Sequence, residues 1–412
     1  MPTVLVVGGT GQTGPLVVEG LVARGHDVTV MHSGMHEPPL PPVEHIHADV
    51  HFAETIAAAL GNRTFDLAVC MYGRSRLIAD ELRGRVPRLI VVTGSGYAYF
   101  EPRRTDWGPF GVTIANEESP FAQDRQVDSI GPLVAKSENH VLKHQMDGHY
   151  AVTILRYPNI FGPNSVATGD WSIVRRALDK RPFFIVADGG LRLRSRAYRD
   201  NAAHATLLAV DNAEIANGQI YNVADDPPWL TVGQWIHALA RALGHHWELV
   251  DLPIDLVEPI YLGHFGYHRL VDTSKIRDQL GYADVVSPEQ AANRTAFWWA
   301  EHGEERIGDT ASIPDRFDYA AEDALVLSYG RAVKQLLSNA PAPLAAEHYF
   351  RHPKRPGDTS AGGLIVDGGR NRRPRRTYPY DVTSAWPPDG NGAVRHGEIA
   401  QNRLQSGQES CD

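Results

Sequence analysis

The first 160 residues alternate between short apolar segments and stretches with helical periodicity. Six segments rich in β-branched residues are predicted to be strands: Val4 to Val7, Val28 to Met31, His45 to Ala48, Leu67 to Met71, Leu89 to Val92, and Val152 to Leu155. Strands that alternate with helical stretches form βαβ units. The pattern therefore predicts an α/β fold with a Rossmann-type, doubly wound parallel sheet.

The pattern loosens beyond Gly162-Pro163, and this change marks the first expected domain boundary. Residues 1–165 are predicted to form an NAD(P)-binding Rossmann domain. Residues 166–303, which include the segment Gly218 to Val223 and an amphipathic helix from Thr231 to Leu243, are predicted to form a smaller substrate-binding lobe. We expect this lobe to be partly interleaved with the first domain and to close over the carboxyl ends of the strands.

The last hundred residues differ again. Residues 304–350 are predicted to be a helical extension, because apolar side chains recur at helical spacing between Tyr319 and Leu337. Residues 351–412 are dominated by Pro, Gly, Arg and Asp and are expected to be a disordered basic tail. The five arginines between Arg370 and Arg376 are typical of a solvent-exposed disordered segment. The alternative is that they bind nucleic acid or an acidic partner.

A glycine-rich loop directly follows the first apolar run. Gly8, Gly11 and Gly14 recur at every third position, and a helical stretch starts immediately afterwards. This spacing lets a buried strand turn sharply, lets a pyrophosphate approach the backbone and lets the next helix pack closely. With a second strand following, the context predicts a dinucleotide-binding loop. The predicted cofactor-binding residues here are Gly8, Thr10, Gly11, Gln12, Thr13 and Gly14.

Composition narrows the function classes. The 412 residues carry a net charge of −9, which argues against a dedicated nucleic-acid binder, the basic tail excepted. Cys70 and Cys411 make no disulfide framework and indicate a reducing compartment. Neither an apolar run of about 18 residues nor a charged leader segment is apparent. We expect a cytoplasmic protein with a small-molecule substrate and no membrane partner; a homodimer stays open.

Five separated stretches resemble, in order, the extended short-chain dehydrogenase/reductase superfamily, and within it the NAD-dependent epimerase/dehydratase family. The resemblance covers roughly residues 3 to 302 and rests on these stretches: Gly8 to Gly14, Val91 to Tyr99, Leu155 to Pro163, Arg194 to Asp200, and Asp272 to Tyr282. It implies an oxidoreductase or isomerase with a Rossmann fold, and sugar nucleotides are common substrates of such proteins. A shared fold does not fix the substrate or the reaction.

The catalytic residues depart from the family pattern. The resemblance implies a serine, here Ser95, and a Tyr-x-x-x-Lys on the next helix, whose lysine holds the nicotinamide ribose and lowers the pKa of the tyrosine. Lys136 falls at the lysine position, but Pro132 stands four residues before it. Because no tyrosine occurs between Tyr99 and Tyr150, a small shift of register cannot recover the missing one.

Tyr97, Tyr99 and Tyr157 are the candidates for a substitute acid, since all three lie on segments expected to border the nicotinamide. The alternative is that they only pack against the cofactor or the sheet. Three interpretations of the whole chain compete: an active enzyme with a substitute acid, a catalytically inactive dinucleotide sensor or scaffold, and an RNA-binding relative.

The choice between NAD and NADP depends on the end of the second strand. An acidic residue there hydrogen-bonds the adenosine ribose of NAD, whereas an arginine pairs with the extra phosphate of NADP. The chain has His32 and Ser33, which could both donate to a 2′-phosphate, and we therefore favour NADP. Asp49, at the end of the third strand, resembles an acid that faces the adenine; a strand-end turn is the alternative.

Substrate contacts are carried over from the same resemblance. Ser95, Asn159 and Arg194 match positions that contact the substrate in sugar-nucleotide relatives, and an arginine fork suits a diphosphate. Arg196 would point to the same face as Arg194 in an extended segment. Ordinary surface ion pairs are the alternative for both arginines.

Histidines near the third strand raise the question of a metal. His45 and His47, with His51 nearby, could share one strand face, but Glu44 would point the other way and no cysteine completes a tetrahedral set. We expect no metal site.

Overall fold

The computed structural model describes residues 1–35, 37–71, 73–94, 114–119, 131–257, 260, 268–309 and 315–341, with 307–309 described by backbone only. The chain divides into two compact units, Met1–Arg316 and Phe317–Asp412. Ser95, Tyr97, Tyr99 and the predicted tail, residues 351–412, lie outside the described residues.

Thirteen strands are defined in the described part of the chain. They are β1 (Thr3–Val7), β2 (Asp27–His32), β3 (Glu44–His47), β4 (Leu67–Cys70), β5 (Arg88–Gly94), β6 (Ile114–Ala115), β7 (Ala151–Tyr157), β8 (Asn159–Phe161), β9 (Phe183–Ala187), β10 (Arg196–Tyr198), β11 (Ile220–Asn222), β12 (Glu248–Leu252) and β13 (Leu270–Val271).

Twelve α-helices are defined over the same residues. They are α1 (Gly14–Ala23), α2 (Ala53–Leu60), α3 (Ser75–Glu81), α4 (Gly131–Met146), α5 (Gly169–Leu178), α6 (Arg199–Asp211), α7 (Ala213–Ala216), α8 (Val232–Ala242), α9 (Ile254–Val257), α10 (Ser274–Leu280), α11 (Pro288–Asp309) and α12 (Tyr319–Ser338).

A seven-stranded parallel sheet forms the centre of the first unit, in the order β11-β7-β5-β4-β1-β2-β3. The predicted doubly wound Rossmann-type sheet is confirmed. The strand order reverses between β1 and β4, because the chain leaves β1 towards β2 and returns to the other side at β4. Such a switch point opens a crevice at the carboxyl ends of the strands, where open α/β sheets bind ligands.

The side chains of the central strands alternate between two cores. In β1, Val4 and Val6 join a buried apolar cluster with residues of α1 and α6, whereas Leu5 and Val7 join a second cluster with residues of α2, α3 and α4. Successive strand residues point to opposite faces. Helices therefore cover both faces of the sheet, which fixes the carboxyl ends of the strands as its open edge.

Three short parallel strand pairs complete the architecture: β8 with β10, β9 with β12, and β6 with β13. Helix α8 begins with a capping box, in which Thr231 and Gln234 exchange side-chain and backbone hydrogen bonds. Helix α11 packs against α5 and α8. A Cβ at Gly303 of α11 would lie 2.2 Å from the ring of Trp171 in α5, so only glycine permits this approach.

The second unit contributes α12, which spans the residues whose apolar spacing predicts a helix. No helix among the described residues is long and apolar enough to cross a membrane.

Candidate dinucleotide site

The glycine loop joins the end of β1 to the start of α1, and each of its three spaced glycines meets a different constraint. Gly8 has a φ of 80°, which favours glycine, and its N–H donates to the Met31 carbonyl at 2.9 Å. A Cβ at Gly14 would lie 2.4 Å from the Gly9 backbone. At Gly11, the nearest described atom to a Cβ would be the Gly8 carbonyl oxygen at 3.7 Å. The outer side of the loop is therefore open where a pyrophosphate would lie.

The first turn of α1 carries no acidic residue, so no side chain of that turn offsets the positive end of the helix dipole. Thr13 is the buried N-cap residue, and its side chain makes no capping hydrogen bond. Gln12 lies beside it and donates from Nε2 to the carbonyls of Gly162 and Pro163, at 3.2 and 3.3 Å. The side chain of Gln12 thus ties the loop to the turn after β8.

His32 at the end of β2 does not present a free donor. Its Nδ1 accepts from the Gly34 N–H at 3.2 Å, and its Nε2 lies 2.8 Å from Nδ1 of His45. Burial, together with the neighbouring imidazoles of His47 and His45, lowers the pKa of His32. A neutral ring with both nitrogens engaged does not support the predicted contact of His32 with a 2′-phosphate. Ser33 is exposed and stays available.

An acid that the sequence analysis missed lies beside His32. Oε1 of Glu37 is 3.9 Å from His32 Nδ1 and 2.7 Å from His47 Nε2. The hydrogen bond from His47 lowers the pKa of Glu37, which keeps the carboxylate charged. Glu37 lies five residues beyond β2, on a connecting segment rather than at the strand end. Its distance from His32 therefore depends on how that segment folds, which the sequence pattern does not indicate.

Asp49 follows β3 and caps its own turn. Its Oδ1 accepts from the His51 backbone N–H at 3.0 Å and lies 2.7 Å from His51 Nδ1. These two hydrogen bonds lower the pKa of Asp49. The geometry supports the strand-end turn that the sequence left open as the alternative to an adenine contact.

A buried ion pair fixes the floor of the crevice where β5, β7 and α4 meet. Glu138 and Arg156 are 2 % exposed, and their closest contact joins Arg156 Nη2 to Glu138 Oε2 at 2.6 Å. Thr93 donates to Glu138 Oε1 at 2.7 Å. The sequence signal was present, since a charged residue inside an otherwise apolar strand needs a buried partner.

Helix α4 also carries Lys136, two residues before Glu138, and Lys136 is exposed. Pro132 lies in the first turn of the helix, where a missing N–H costs no hydrogen bond. The ion pair of Glu138 therefore fixes the helix that presents Lys136.

Tyr157 does not reach the crevice. Its hydroxyl donates to the Ala202 carbonyl at 2.6 Å and lies 2.5 Å from Thr206 Oγ1, inside the apolar cluster between the sheet and α6. Burial raises the pKa of the phenol above its ordinary value. These contacts make Tyr157 a packing residue, and they do not support its predicted role as a substitute acid or cofactor contact.

Arg196 on β10 is held by contacts with three neighbouring side chains. Its guanidinium carbon lies 4.3 Å from the ring centroid of Phe161 and 4.5 Å from that of Trp235, and its Nη2 contacts Asp170 at 2.7 Å. Trp235 donates to the same carboxylate at 2.8 Å. This packing supports the ion-pair alternative for Arg196 rather than a contact with a diphosphate.

Asn159 and Arg194 are both half-buried. Asn159 starts β8 and pairs with Arg196, while Arg194 forms an isolated parallel bridge with Arg269. The substrate contacts of both residues stay predictions.

A glycine loop at the switch point of a doubly wound parallel sheet defines a dinucleotide-binding α/β protein. Residues 134–224 match the model of the NAD dependent epimerase/dehydratase family. Across 329 residues the chain is 26% identical to UDP-N-acetyl-alpha-D-glucosaminuronate decarboxylase of Bacillus cytotoxicus, covering 72% of this chain and 97% of the relative. Over these residues the chain is similar to the NAD dependent epimerase/dehydratase family.

Solved structures share the fold at low sequence identity. UDP-glucose 4-epimerase of Thermotoga maritima, solved with UDP-glucose, has a TM-score of 0.59 and 19% identity, covering 73% of this chain and 99% of that one. UDP-glucuronic acid 4-epimerase of Bacillus cereus, in complex with NAD, has a TM-score of 0.58 and 15% identity over the same shares. In each case the likeness extends over most of the first unit.

Proposed function

We propose that the chain is an NAD(P)-dependent enzyme of the epimerase/dehydratase type that acts on a hydroxyl or carbonyl carbon of a sugar nucleotide. The observation that carries the proposal is the Gly8 to Gly14 loop, open on its outer side at the switch point of the sheet. The Bacillus cytotoxicus relative, matched over 97% of its length, supports a UDP-sugar substrate. The relatives named above do not support the inactive sensor, and the RNA-binding alternative depends on the tail, outside the described residues.

The site geometry changes our preferred cofactor from NADP to NAD. The sequence-based preference depended on donors from His32 and Ser33, and His32 is neutral and engaged. The charged Glu37 carboxylate near His32 is placed to accept from an adenosine ribose hydroxyl, and it would repel a 2′-phosphate. We therefore propose that NADH binds more tightly than NADPH.

Proton transfer is assigned by elimination among the predicted residues. Tyr157 is buried in the core, which leaves Tyr97 and Tyr99 as candidates for the acid. Both follow Ser95 in the chain directly after β5, whose last residue Gly94 lies at the carboxyl edge of the sheet. We propose that Ser95 orients the substrate, that Lys136 holds the nicotinamide ribose, and that Tyr97 or Tyr99 exchanges the proton.

The decisive experiment measures binding and turnover with the purified full-length protein. Calorimetry should show NADH binding, and a panel of UDP-sugars incubated with NAD⁺ should yield an epimerised or decarboxylated product. Ser95→Ala should lower turnover by roughly 100-fold or more, on the scale of losing a positioned proton donor, with NADH affinity unchanged. Gly11→Val should abolish NADH binding while the protein stays folded, because the Cβ of residue 11 has open space.

Tight NADH binding without turnover or hydride exchange across the panel would overturn the catalytic proposal and leave only the dinucleotide site. Unchanged NADH affinity in Gly11→Val would overturn the site itself.

A further inference from the structure

Two histidines and one carboxylate meet on the outer face of the first unit, on helices that the proposed reaction uses only through Lys136. His140 and His144 lie four residues apart on α4, so they share one face of that helix. Asp80 lies on the neighbouring helix α3. Oδ1 of Asp80 is 2.9 Å from Nε2 of His140 and 2.8 Å from Nε2 of His144. One carboxylate oxygen therefore lies within hydrogen-bond distance of both imidazoles.

The three ligand atoms lie within 4.8 Å of one another, which is the scale of a metal site. Zinc binds imidazole nitrogen and carboxylate oxygen at about 2.0–2.2 Å, so two tetrahedral ligands are separated by roughly 3.3 Å. The distances from Asp80 Oδ1 to Nε2 of His140 and to Nε2 of His144 would each have to increase by about 0.5 Å to reach that separation. Side-chain rotation supplies such a movement without any shift of the helices.

The exposure of the three side chains suits an ion with one open position. The His144 side chain is 9% exposed, whereas those of His140 and Asp80 are 36% and 34% exposed. The buried imidazole anchors the set, and the other two face water that can fill the remaining coordination position.

We propose that Asp80, His140 and His144 form a binding site for a divalent transition metal, with Zn²⁺ as the ion that this donor set fits best. Imidazole ligands suit zinc, copper, iron and nickel, and a single carboxylate does not make a calcium or magnesium site. The metal links α3 to α4, the helix that presents Lys136, and has no part in the reaction itself. The proposal departs from our expectation from sequence, which considered only the histidines near β3.

The surroundings of His144 limit the affinity of the site for zinc. Nδ1 of His144 is buried and has no hydrogen-bond partner among the described residues. When Nε2 binds a metal, the proton of the ring moves to Nδ1, and zinc-binding histidines normally donate that proton to a second group. Lacking this partner, the site should bind zinc more weakly than a structural zinc site, and a strong chelator should remove the ion.

A second histidine cluster has to be separated from this site in any experiment. His32, Glu37 and His47 also place three ligand atoms within 4.8 Å, but Nδ1 of His32 already accepts from the Gly34 N–H. The His47→Ala background removes one ligand of that cluster. Because His47 also hydrogen-bonds Glu37 of the proposed cofactor site, the readouts are zinc binding and melting temperature rather than cofactor affinity.

The test uses metal-stripped full-length protein, ZnCl₂ in equilibrium dialysis, and melting temperature with and without zinc. In the His47→Ala background we expect one zinc per chain and a higher melting temperature, because an ion that binds only the folded state stabilises it. Adding His140→Ala or Asp80→Asn should weaken zinc binding by at least about tenfold. His149→Ala is the matched control, since this exposed histidine lies near His144 but outside the three ligands.

Retention of zinc and of the melting shift after His140→Ala would overturn the proposal, as would failure of the His47→Ala protein to bind zinc at all. Co²⁺ provides a second measurement, because a four-coordinate site gives visible absorption bands that should disappear with His140→Ala. His140 is partly exposed, so its loss should leave the metal-free melting temperature close to that of the parent.

Discussion

At the scale of single residues, local spacing identified the glycine loop, and contacts distant in sequence decided the other candidates. The spacing of Gly8, Gly11 and Gly14 spans only seven residues, so the sequence shows it directly. Tyr157 is engaged by Thr206, 49 residues further along, and Arg196 by two aromatic rings and Asp170. No pattern around Tyr157 or Arg196 reveals such partners, so the family resemblance alone could not indicate them.

Asp225 should make the stability of the fold depend on pH. Its Oδ1 accepts from the Tyr198 N–H at 2.8 Å and from Asn201 Nδ2 at 2.9 Å. Burial, with the nearby Asp284 carboxylate, raises the pKa of Asp225 to about 7. A carboxyl group whose pKa is higher in the folded state than in the unfolded state stabilises the fold while it is protonated. The free energy of unfolding should therefore fall as the pH rises from about 4 to about 7.

Asp225→Asn should flatten this dependence, because the amide stays neutral and its oxygen can still accept both hydrogen bonds. Asp225 can change the free energy of unfolding by at most about 1.4 kcal/mol per pH unit, and by less where solvent reaches the carboxyl group. Urea unfolding at pH 5.5, 7 and 8.5 measures it, with the exposed Asp27→Asn as the control. Equal slopes in the parent and Asp225→Asn would contradict the prediction.

At the scale of elements, the sequence located the strands of the central sheet to within one or two residues. Leu89 to Val92 was predicted where β5 spans Arg88–Gly94, and His45 to Ala48 where β3 spans Glu44–His47. The paired strands β6 and β13 were not predicted. Each has two residues and pairs with a partner more than 150 positions away, so no periodicity can develop.

Removing one partner of the buried ion pair between α4 and β7 should strongly destabilise the protein. Glu138→Gln leaves the buried Arg156 guanidinium without its counter-charge, and breaking such a pair costs about 3–5 kcal/mol. The exposed pair of Glu44 and Arg63 is the matched control, for which Glu44→Gln should cost less than about 1 kcal/mol. Urea unfolding of the two variants compares them directly; a similar loss in both would show that burial does not decide the cost.

At the scale of the whole molecule, the predicted dinucleotide domain and the predicted substrate lobe both fall within the first compact unit. Strands β8 and β10, next to one another in space, come from segments on both sides of that boundary. This pairing is consistent with the interleaving expected from the sequence, which stays a prediction together with the boundaries at 165 and 303.

The tail provides the prediction at this scale. Residues 351–412 carry too few aliphatic side chains to offset the entropy of ordering them, so their deletion should leave the melting temperature and NADH affinity nearly unchanged. Scanning calorimetry and NADH titration of the truncated chain measure both. A large loss of either would mean that the tail packs on folded residues.

Gln12 gives the two halves of the crevice a mechanical link. Its amide belongs to the loop that faces the proposed dinucleotide, and it donates to Gly162 and Pro163 in the turn that follows β8 on the proposed substrate side. A ligand that shifts one end of this link alters the strain at the other end. Such coupling is reciprocal in free energy. If bound cofactor raises the affinity for sugar nucleotide, bound sugar nucleotide raises the affinity for cofactor by the same factor.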